Sequence, residues 1–486
     1  MEAAAMRILL LALVAASVLF GGESQATTDI EAELWNMVPE KWRPISPVAI
    51  QGRDSGELII AAGSPVNGPS VDEDQLWQAY IAASSWKKPW PTGESAEVLL
   101  TWLDAPGRAG SAAILDQALA LGARRPAARN ASDPVIGPGR DLMRYLVIRC
   151  RRAVETGDLK QAEDELRRIS GLCRIMRGGY GGIGLLIDIS LAAYAIDAVV
   201  GVAVRAPPDP VAIERLRKLV PPAEDLSVDF IPRMLLGDLI PSLATSPVDG
   251  DLWVQNLQGM HLKSALLREK MRDTTGATTP ASDRSAIFAL AGNPVALDRK
   301  ETVRLALAML SAISSSDGKA AWKQGAVRDL VDDTHHASGH LFPAADLMND
   351  VIASVGKGGD TQEAQAEATR RADADFRRLA AQPNPVGKIT VGIQLSALPM
   401  LLDSGSGNVA RIRMAHLALS LLDHRAKHGA FPVELPADAP TDPFSYAPFR
   451  WDASRRLLWS VGKNGTDEQG DRRKDDVMRL HAEPDP

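Results

Sequence analysis

The pattern of apolar and polar positions predicts a mainly helical chain. Residues 8–20 form an unbroken apolar run, and from about residue 71 to 270 apolar residues recur every three or four positions, the spacing of amphipathic helices. A second helical block follows, with helical patterns at 300–313, 320–332 and 362–381. Short apolar and aromatic runs between turns occur near the end of the chain and predict a small antiparallel sheet. We therefore expect a mainly α, multi-helix protein that ends in a small α+β module.

The clearest pair of predicted helices covers residues 141–154 and 158–176. A tight turn at 155–157 joins them, and Asp158 has the chemistry of a helix N-cap. In the second helix the apolar residues that share one face are Leu159, Ala162, Leu166, Ile169, Cys173 and Met176. This pattern predicts an antiparallel helical hairpin.

Residues 27–70 are rich in proline and glycine and predict an extended, turn-rich leader with one short strand near Leu58. Six of the ten tryptophans lie between Trp35 and Trp102. Because large aromatic side chains bury most of their surface, we expect them to hold the leader against the helices. Stacking on a sugar or filling a pocket of a partner protein is the alternative.

The N-terminus has the features of a secretory signal peptide. The apolar run 8–20 is shorter than the roughly 20 residues that span a bilayer, and Ser24-Gln25-Ala26 forms a small-x-small cleavage pattern. We expect a mature extracytoplasmic protein, periplasmic or secreted, that begins near Thr27; an uncleaved anchor is the alternative. The other long apolar segment, 185–204, contains two aspartates, so we expect a buried helix and no transmembrane span in the mature chain.

Charge and cysteine content narrow the function classes. A net charge of −7 and a pI near 5.7, with no compact Lys/Arg patch, argue against nucleic acid as a partner. Cys150 and Cys173 fall on the two arms of the predicted hairpin, offset along the axis by about 15 Å at 1.5 Å per residue. A disulfide needs Cα atoms within about 7 Å. We therefore expect two buried thiols.

After 403–407, a linker by composition, the pattern changes to one helix at 408–427 and then short strands. The helix ends in His428-Gly429-Ala430-Phe431-Pro432. The segments that follow are Asp442-Pro443-Phe444 with Tyr446, then Trp459-Ser460-Val461-Gly462-Lys463-Asn464-Gly465, then Asp475-Asp476-Val477. In order and spacing these segments resemble the globular part of type II secretion major pseudopilins. The layout of the whole chain also resembles exported bacterial proteins with such a tail behind a helical region, a resemblance that implies no activity.

The pseudopilin resemblance implies a calcium site, because in that family the C-terminal loop binds Ca²⁺. The matched ligands are the Val461 carbonyl, Asn464, Asp467, Asp475 and Asp476, and oxygen donors of this kind suit the ion. Two departures are that Asn464 replaces the usual aspartate and that residues 472–474 are basic. A solvated, turn-rich charged loop is the alternative. The module lacks an adjacent apolar N-terminal helix and a prepilin cleavage site, so we expect no pilus assembly.

Other candidate sites have weaker patterns. His335, His336 and His340 with two preceding aspartates form the densest cluster of metal-ligand residue types, although the spacing lacks the glutamate of H-E-x-x-H, and a polar loop is the alternative. His424 and His428 are also four residues apart. Residues 179–184 match G-x-G-x-x-G, but a helix precedes them where a dinucleotide site has a strand, so we expect an interhelical turn.

These observations predict five segments: a signal peptide at 1–26, the leader at 27–70, a helical region at 71–275, a second helical block at 276–405 and the pseudopilin-like module at 406–486. The function we expect is an exported, non-catalytic helical scaffold that binds a protein or another cell-envelope component. The alternative is a periplasmic metal-dependent hydrolase built on His335, His336 and His340. No arrangement of catalytic residues singles out a reaction.

Overall fold

The computed structural model describes residues 25–43, 54–70, 74–122, 134–176, 181–206, 209–221, 230–245, 297–313, 384, 387–388, 391, 398–472 and 474–481. The chain divides into two compact units. Unit 1 contains residues 1–45, 180–183 and 228–400, and unit 2 contains 46–179, 184–227 and 401–486. The fold is mainly helical, which confirms the predicted class at that level.

The helices in chain order are α1 (Gln25–Asn36), α2 (Ser55–Gly63), α3 (Asp74–Ala83), α4 (Glu94–Leu103), α5 (Pro106–Ala109), α6 (Ser111–Leu121), α7 (Ile136–Glu155), α8 (Leu159–Met176), α9 (Gly181–Arg205), α10 (Pro210–Arg217), α11 (Phe230–Thr245), α12 (Arg299–Ile313) and α13 (Leu398–His428). Short 3-10 turns lie at Glu40–Trp42 and Ser64–Val66. The strands are β1 (Arg450–Asp452), β2 (Leu457–Ser460) and β3 (Asp476–Arg479).

Unit 1 is built on contacts among α1, α11 and α12. Leu34 of α1 and Val303 of α12 are fully buried, as is Leu243 of α11. Arg299 Nε at the start of α12 donates a hydrogen bond of 2.7 Å to the Leu243 carbonyl, near the C-terminus of α11. A cation at the carbonyl end of a helix satisfies an acceptor that the helix leaves open.

The centre of unit 2 is the hairpin of α7 and α8, and this prediction is confirmed. Gly157 adopts a φ of +77° in the turn, a conformation that glycine reaches without steric cost. The Asp158 carboxylate accepts the Gln161 N–H at 2.9 Å and so caps α8. Inside the hairpin Glu165 is fully buried, and its Oε1 accepts from Arg149 Nε at 2.8 Å.

The two cysteines of the hairpin are buried thiols without a disulfide, as the axial offset predicted. Cys150 Sγ donates to the Ala162 carbonyl at 3.5 Å, and Cys173 Sγ donates to the Leu191 carbonyl at 3.4 Å. Burial raises the pKa of the Cys150 thiol well above its ordinary value.

The expected extended leader is wrong, because α1 and α2 occupy part of residues 27–70. The predicted strand at Leu58 lies in α2, which Asp54 caps through the Gly56 N–H at 2.9 Å. Gly63 of α2 allows close packing, because a Cβ there would stand 2.5 Å from the Pro138 carbonyl oxygen of α7. A high glycine content therefore reflects close helix contact here, where the sequence indicated turns.

The α9 segment Ile187–Arg205 is long and apolar enough to cross a membrane by length and composition, and 61% of its most apolar window is buried inside the protein. Ala195 and Ile196 are fully buried in unit 2. This burial favours the predicted interior helix.

The predicted linker at 403–407 is also wrong, because α13 runs through it without a break. Glycine inside a helix costs about 1 kcal/mol relative to alanine, so composition alone argues for a linker. In the folded chain a Cβ on Gly407 would lie 3.9 Å from the Phe444 ring, and Ala410 three residues later is fully buried. Packing of α13 on the residues that follow it offsets the low helix propensity.

The three strands form an antiparallel sheet in the order β1-β2-β3. Trp459 of β2 pairs with Arg450 of β1 and with Val477 of β3. The sheet is joined to the end of α13 by Trp451, whose Nε1 donates to the Pro432 carbonyl at 2.9 Å. Its ring lies 5.7 Å from that of Phe431.

Several predictions fall outside the described residues: the signal peptide, the helices at 320–332 and 362–381, and the histidine cluster at 335–340. The five-segment division stays a prediction. Of the residues 179–184, where a turn was expected, the structure describes 181–184, and these belong to α9.

Candidate functional site

A cavity of about 110 Å³ lies in unit 2, where α9, α13, β3 and the loop between α3 and α4 meet. We call it the basic cavity. Five cationic side chains line it: Lys87, Arg205, Arg411, Arg472 and Arg479. Two carboxylates, Asp197 and Asp476, also line it. In a chain with a net charge of −7 this excess of positive charge is local, and it makes the cavity attractive to anions.

Trp86 forms one wall of the basic cavity. Its side chain is only 8% exposed and packs directly on α9 at Gly201, where a Cβ would stand 2.3 Å from the indole Cδ2. Only glycine leaves room for the ring at this position. The indole Nε1 is buried and has no hydrogen-bond partner among the described residues.

Arg151 of α7 fixes the loop that carries Trp86. The guanidinium is 1% exposed and donates to three main-chain carbonyls, those of Ala82 at 2.9 Å, Ser85 at 2.6 Å and Lys88 at 2.5 Å. Its Cζ lies 5.8 Å from the centre of the Trp86 ring. Three charge-assisted hydrogen bonds from one rigid group define the path of residues 82–88.

Arg205 lies at the end of α9 and also faces Trp86, with its Cζ 5.2 Å from the ring centre. Its guanidinium has a single hydrogen bond among the described residues, a long one of 3.4 Å to the Gly201 carbonyl of its own helix. No carboxylate of the described residues lies within ion-pair distance of it. This cation therefore keeps most of its donors for other groups.

The electrostatics of the two arginines agree with this description. Burial, followed by repulsion from Arg205, lowers the pKa of Arg151 to about 10. Burial also lowers the pKa of Arg205. The Glu155 carboxylate, whose Oε1 lies 3.9 Å from Arg151 Nε, opposes the lowering of both pKa values.

The rim of the basic cavity comes from α13 and the C-terminal sheet. Arg411 Nη2 lies 3.7 Å from Asp476 Oδ1, with both side chains about one third exposed or more. The His481 Nδ1 atom, just after β3, is buried without a hydrogen-bond partner among the described residues. Lys87 is exposed at the rim and forms no ion pair among them. Sequence reasoning missed the cavity, since its residues come from four separate segments.

The C-terminal loop 461–475 holds the second candidate site. Asp475 is 5% exposed, and its Oδ2 accepts the Gly470 N–H at 2.8 Å, whereas its Oδ1 is buried without a partner among the described residues. Glu468 Oε2 is also buried without a partner there. The loop closes tightly, because a Cβ on Gly462 would lie 3.0 Å from the Lys474 carbonyl oxygen. Two carboxylate oxygens of this loop are therefore buried without a partner among the described residues.

The other predicted calcium ligands are engaged elsewhere. Asp467 accepts from Trp459 Nε1 at 3.0 Å, from Arg450 Nε at 3.0 Å and from the Gln469 N–H at 2.9 Å. The hydrogen bond from Trp459 is the largest of the influences that lower the pKa of Asp467.

Asn464 accepts the Thr466 N–H and donates to Glu468, and Asp476 faces Arg411 of the basic cavity. For Val461 the structure records the N–H, which donates to Asp442 Oδ2 at 3.1 Å. Among the described residues no group of three or more His, Cys, Asp or Glu side chains is arranged to hold a metal. The calcium site stays a prediction, with Asp475 as the predicted ligand that fits best.

Asp442 has a structural role that the sequence did not indicate. It is 1% exposed, and its Oδ1 accepts both the Phe444 N–H and the Ser460 hydroxyl at 2.9 Å. With the bond from Val461 it ties the 442–446 turn to the end of β2. An Asp-Pro pair at a turn was the available signal.

The remaining sequence candidates give no site among the described residues. The His424 and His428 rings lie 4.3 Å apart at the end of α13, without a third ligand-type side chain beside them in that part of the chain. The signal that would have found Arg151 was its position on the apolar face of α7, four residues after the buried Val147. A charged residue on such a face needs buried partners.

The functional argument therefore rests on the chemistry of the basic cavity and of the loop 461–475. The pseudopilin resemblance stays a prediction. Comparison of the chain with known proteins finds no matching family model, no matching curated protein and no matching solved structure.

Proposed function

We propose that the protein is an exported helical scaffold of the cell envelope that binds an acidic partner through the basic cavity of unit 2. The observation that supports this is the lining of the cavity, in which five cations outnumber two carboxylates. The signal-peptide pattern supplies the location, and the absence of a catalytic constellation in the sequence favours binding over turnover. The partner is a protein or another envelope component with a negatively charged group.

A site-specific crosslink in living cells tests this function. A photoreactive residue at Lys87, on the rim, is expected to give an adduct in the envelope fraction that Arg411→Gln diminishes, because Arg411 also lines the cavity. Arg413→Gln is the matched control, since Arg413 lies on the same helix and donates to the Thr441 carbonyl outside the cavity. An adduct that forms equally in both variants, or none at all, would contradict the proposal.

The pseudopilin-like module with calcium is a second proposal, supported by the unpartnered Oδ1 of Asp475. Millimolar Ca²⁺ is expected to raise the melting temperature, and Asp475→Asn is expected to remove the increase. Asp438→Asn is the control, because Asp438 is exposed and lies outside the loop 461–475. A melting temperature that does not respond to Ca²⁺ would dispose of the site.

The hydrolase built on His335, His336 and His340 stays an alternative, since those residues lie outside the described part of the chain. Metal analysis of the purified protein separates it from the scaffold. A zinc-like metal that co-purifies with the chain and is lost in His336→Ala and His340→Ala would support the hydrolase.

A further inference from the structure

The donors of the basic cavity come from several directions. Trp86 and Lys87 lie on the α3–α4 loop, Arg205 on α9 and Arg411 on α13, and His481 follows β3. A carboxylate has two oxygens in one plane, which a single guanidinium fork can satisfy. Donors from four segments around one cavity instead match a group that presents oxygens in three dimensions.

Charge and volume point to the same chemistry. The lining has five cations against two carboxylates, an excess that a dianion neutralises better than a monoanion. The volume of about 110 Å³ is several times the roughly 10–15 Å³ that one water molecule needs on the same measure. A tetrahedral oxyanion fits this space.

Two buried atoms of the lining have no other assignment. The Trp86 Nε1 donor and the His481 Nδ1 atom lack hydrogen-bond partners among the described residues, and the Trp86 side chain is more than nine-tenths buried. A buried donor without a partner costs free energy unless a bound group satisfies it. Next to them, Arg205 has only one long hydrogen bond within its own helix.

We propose that the basic cavity binds a phosphate or phosphomonoester dianion. This inference rests on the proposed function and specifies the acidic group of the partner. Lys87, Arg205 and Arg411 neutralise the anion, and the Trp86 ring forms one wall of its site. The two sources of this chemistry are free inorganic phosphate and a phosphomonoester on an envelope lipid.

Titration of the purified full chain with inorganic phosphate is the first test. Calorimetry is expected to show saturable binding that added salt weakens, and acetate is expected to bind at least tenfold more weakly. Lys87→Gln is expected to weaken phosphate binding about tenfold. Lys88→Gln is the matched control, because Lys88 is its exposed neighbour and does not line the cavity.

Two further variants separate charge from fold. Arg411→Gln is expected to weaken binding about tenfold, whereas Arg413→Gln on the same helix leaves it unchanged. Circular dichroism of all four variants checks that each is folded. Phosphate that does not bind, acetate that binds as tightly, or equal losses in test and control variants would each overturn the inference.

Vesicles distinguish the two sources of the anion. Cosedimentation with vesicles containing phosphatidic acid, a phosphomonoester, and not with phosphatidylglycerol vesicles of equal charge density would assign a lipid headgroup. Binding of inorganic phosphate without vesicle binding would assign the free ion.

The failure of this inference is distinguishable from failure of the scaffold function. An Arg411-dependent crosslink at position 87 without phosphate binding overturns the ligand class and leaves the scaffold function standing. Phosphate binding without an envelope adduct overturns the partner and leaves the cavity site standing.

Discussion

Two guanidinium groups near the Trp86 ring have opposite surroundings. Arg151 is almost completely buried and donates to three carbonyls, whereas Arg205 lines the basic cavity and has one long bond to its own helix. The chemistry of the two groups is the same, so the difference lies in what the backbone places around each. An arginine whose two terminal nitrogens donate to several buried carbonyls holds the fold in place, and one with few acceptors is available for binding.

The substitution of Arg151 is expected to have the largest effect on the free energy of unfolding. Arg151→Met leaves three loop carbonyls without their donor, and we expect a loss of about 3–5 kcal/mol in the free energy of unfolding. Urea denaturation measures it. Arg152→Met is the control, because Arg152 is 36% exposed and its partner Asp104 is 59% exposed, a pair expected to contribute less than about 1 kcal/mol. Similar losses in the two variants would contradict the expected difference between the buried Arg151 and the exposed Arg152.

The packing of the Trp86 ring, near which both Arg151 and Arg205 lie, can be disturbed directly. Gly201→Ala forces the Trp86 ring away from α9, and we expect a loss of about 1–3 kcal/mol by overpacking. Gly137→Ala, where a Cβ meets no atom within 4 Å, is expected to be neutral or slightly stabilising in α7. Tryptophan fluorescence during denaturation reports both. An unaffected Gly201→Ala variant would mean that Trp86 is not held by α9.

His416 is half-buried, and the effect of its protonation on stability is expected to be intermediate in size. Burial, together with Arg217, lowers the pKa of His416 below its usual value near 6.5, while a hydrogen bond to the Pro221 backbone opposes the shift. As the pH falls below about 6.5 the unfolded chain binds the proton first, so stability decreases by at most about 1.4 kcal/mol per pH unit. Melting temperatures between pH 7 and pH 5 measure this, and His416→Gln is expected to flatten the curve.

The control for this pH dependence is His428→Gln at the exposed end of the same helix, which is expected to retain the acid-induced decrease. If His416→Gln leaves the decrease unchanged, the neutral form of His416 is not the one the fold prefers.

The substitution of Arg205, which lines the basic cavity, is expected to have the smallest effect on stability. Arg205→Gln removes a cation that has one weak hydrogen bond and lies near Arg151, so we expect a change within about 0.5 kcal/mol in either direction. Urea denaturation at low salt measures it. A loss as large as that of Arg151→Met would show that Arg205, like Arg151, stabilises the fold. It would contradict the view that the donors of Arg205 are available to a ligand.

What the sequence predicted correctly is local. The α7–α8 hairpin follows from residues three and four apart and from a glycine turn, and all of this information lies within 41 residues of chain, 136–176. The sheet positions of β1 and β2 follow from short apolar runs between turns.

What the sequence did not predict depends on contacts between distant segments. Gly63 and Gly407 indicated a leader and a linker, yet both lie in helices, and at Gly63 the missing side chain admits Pro138 of α7. The basic cavity combines positions from residue 86 to residue 481, and no local pattern joins them. Arg151 was visible as a charge on an apolar face, but its three carbonyl acceptors were not.

The two buried thiols of the α7–α8 hairpin can serve as probes of local unfolding in the protein. Because burial keeps Cys150 protonated and each Sγ–H is held by a carbonyl, the native chain offers almost no thiolate to an alkylating reagent. Separation of α7 from α8 exposes Cys150, and separation of α8 from α9 exposes Cys173. The rate of thiol labelling under native conditions therefore measures how often the centre of unit 2 comes apart.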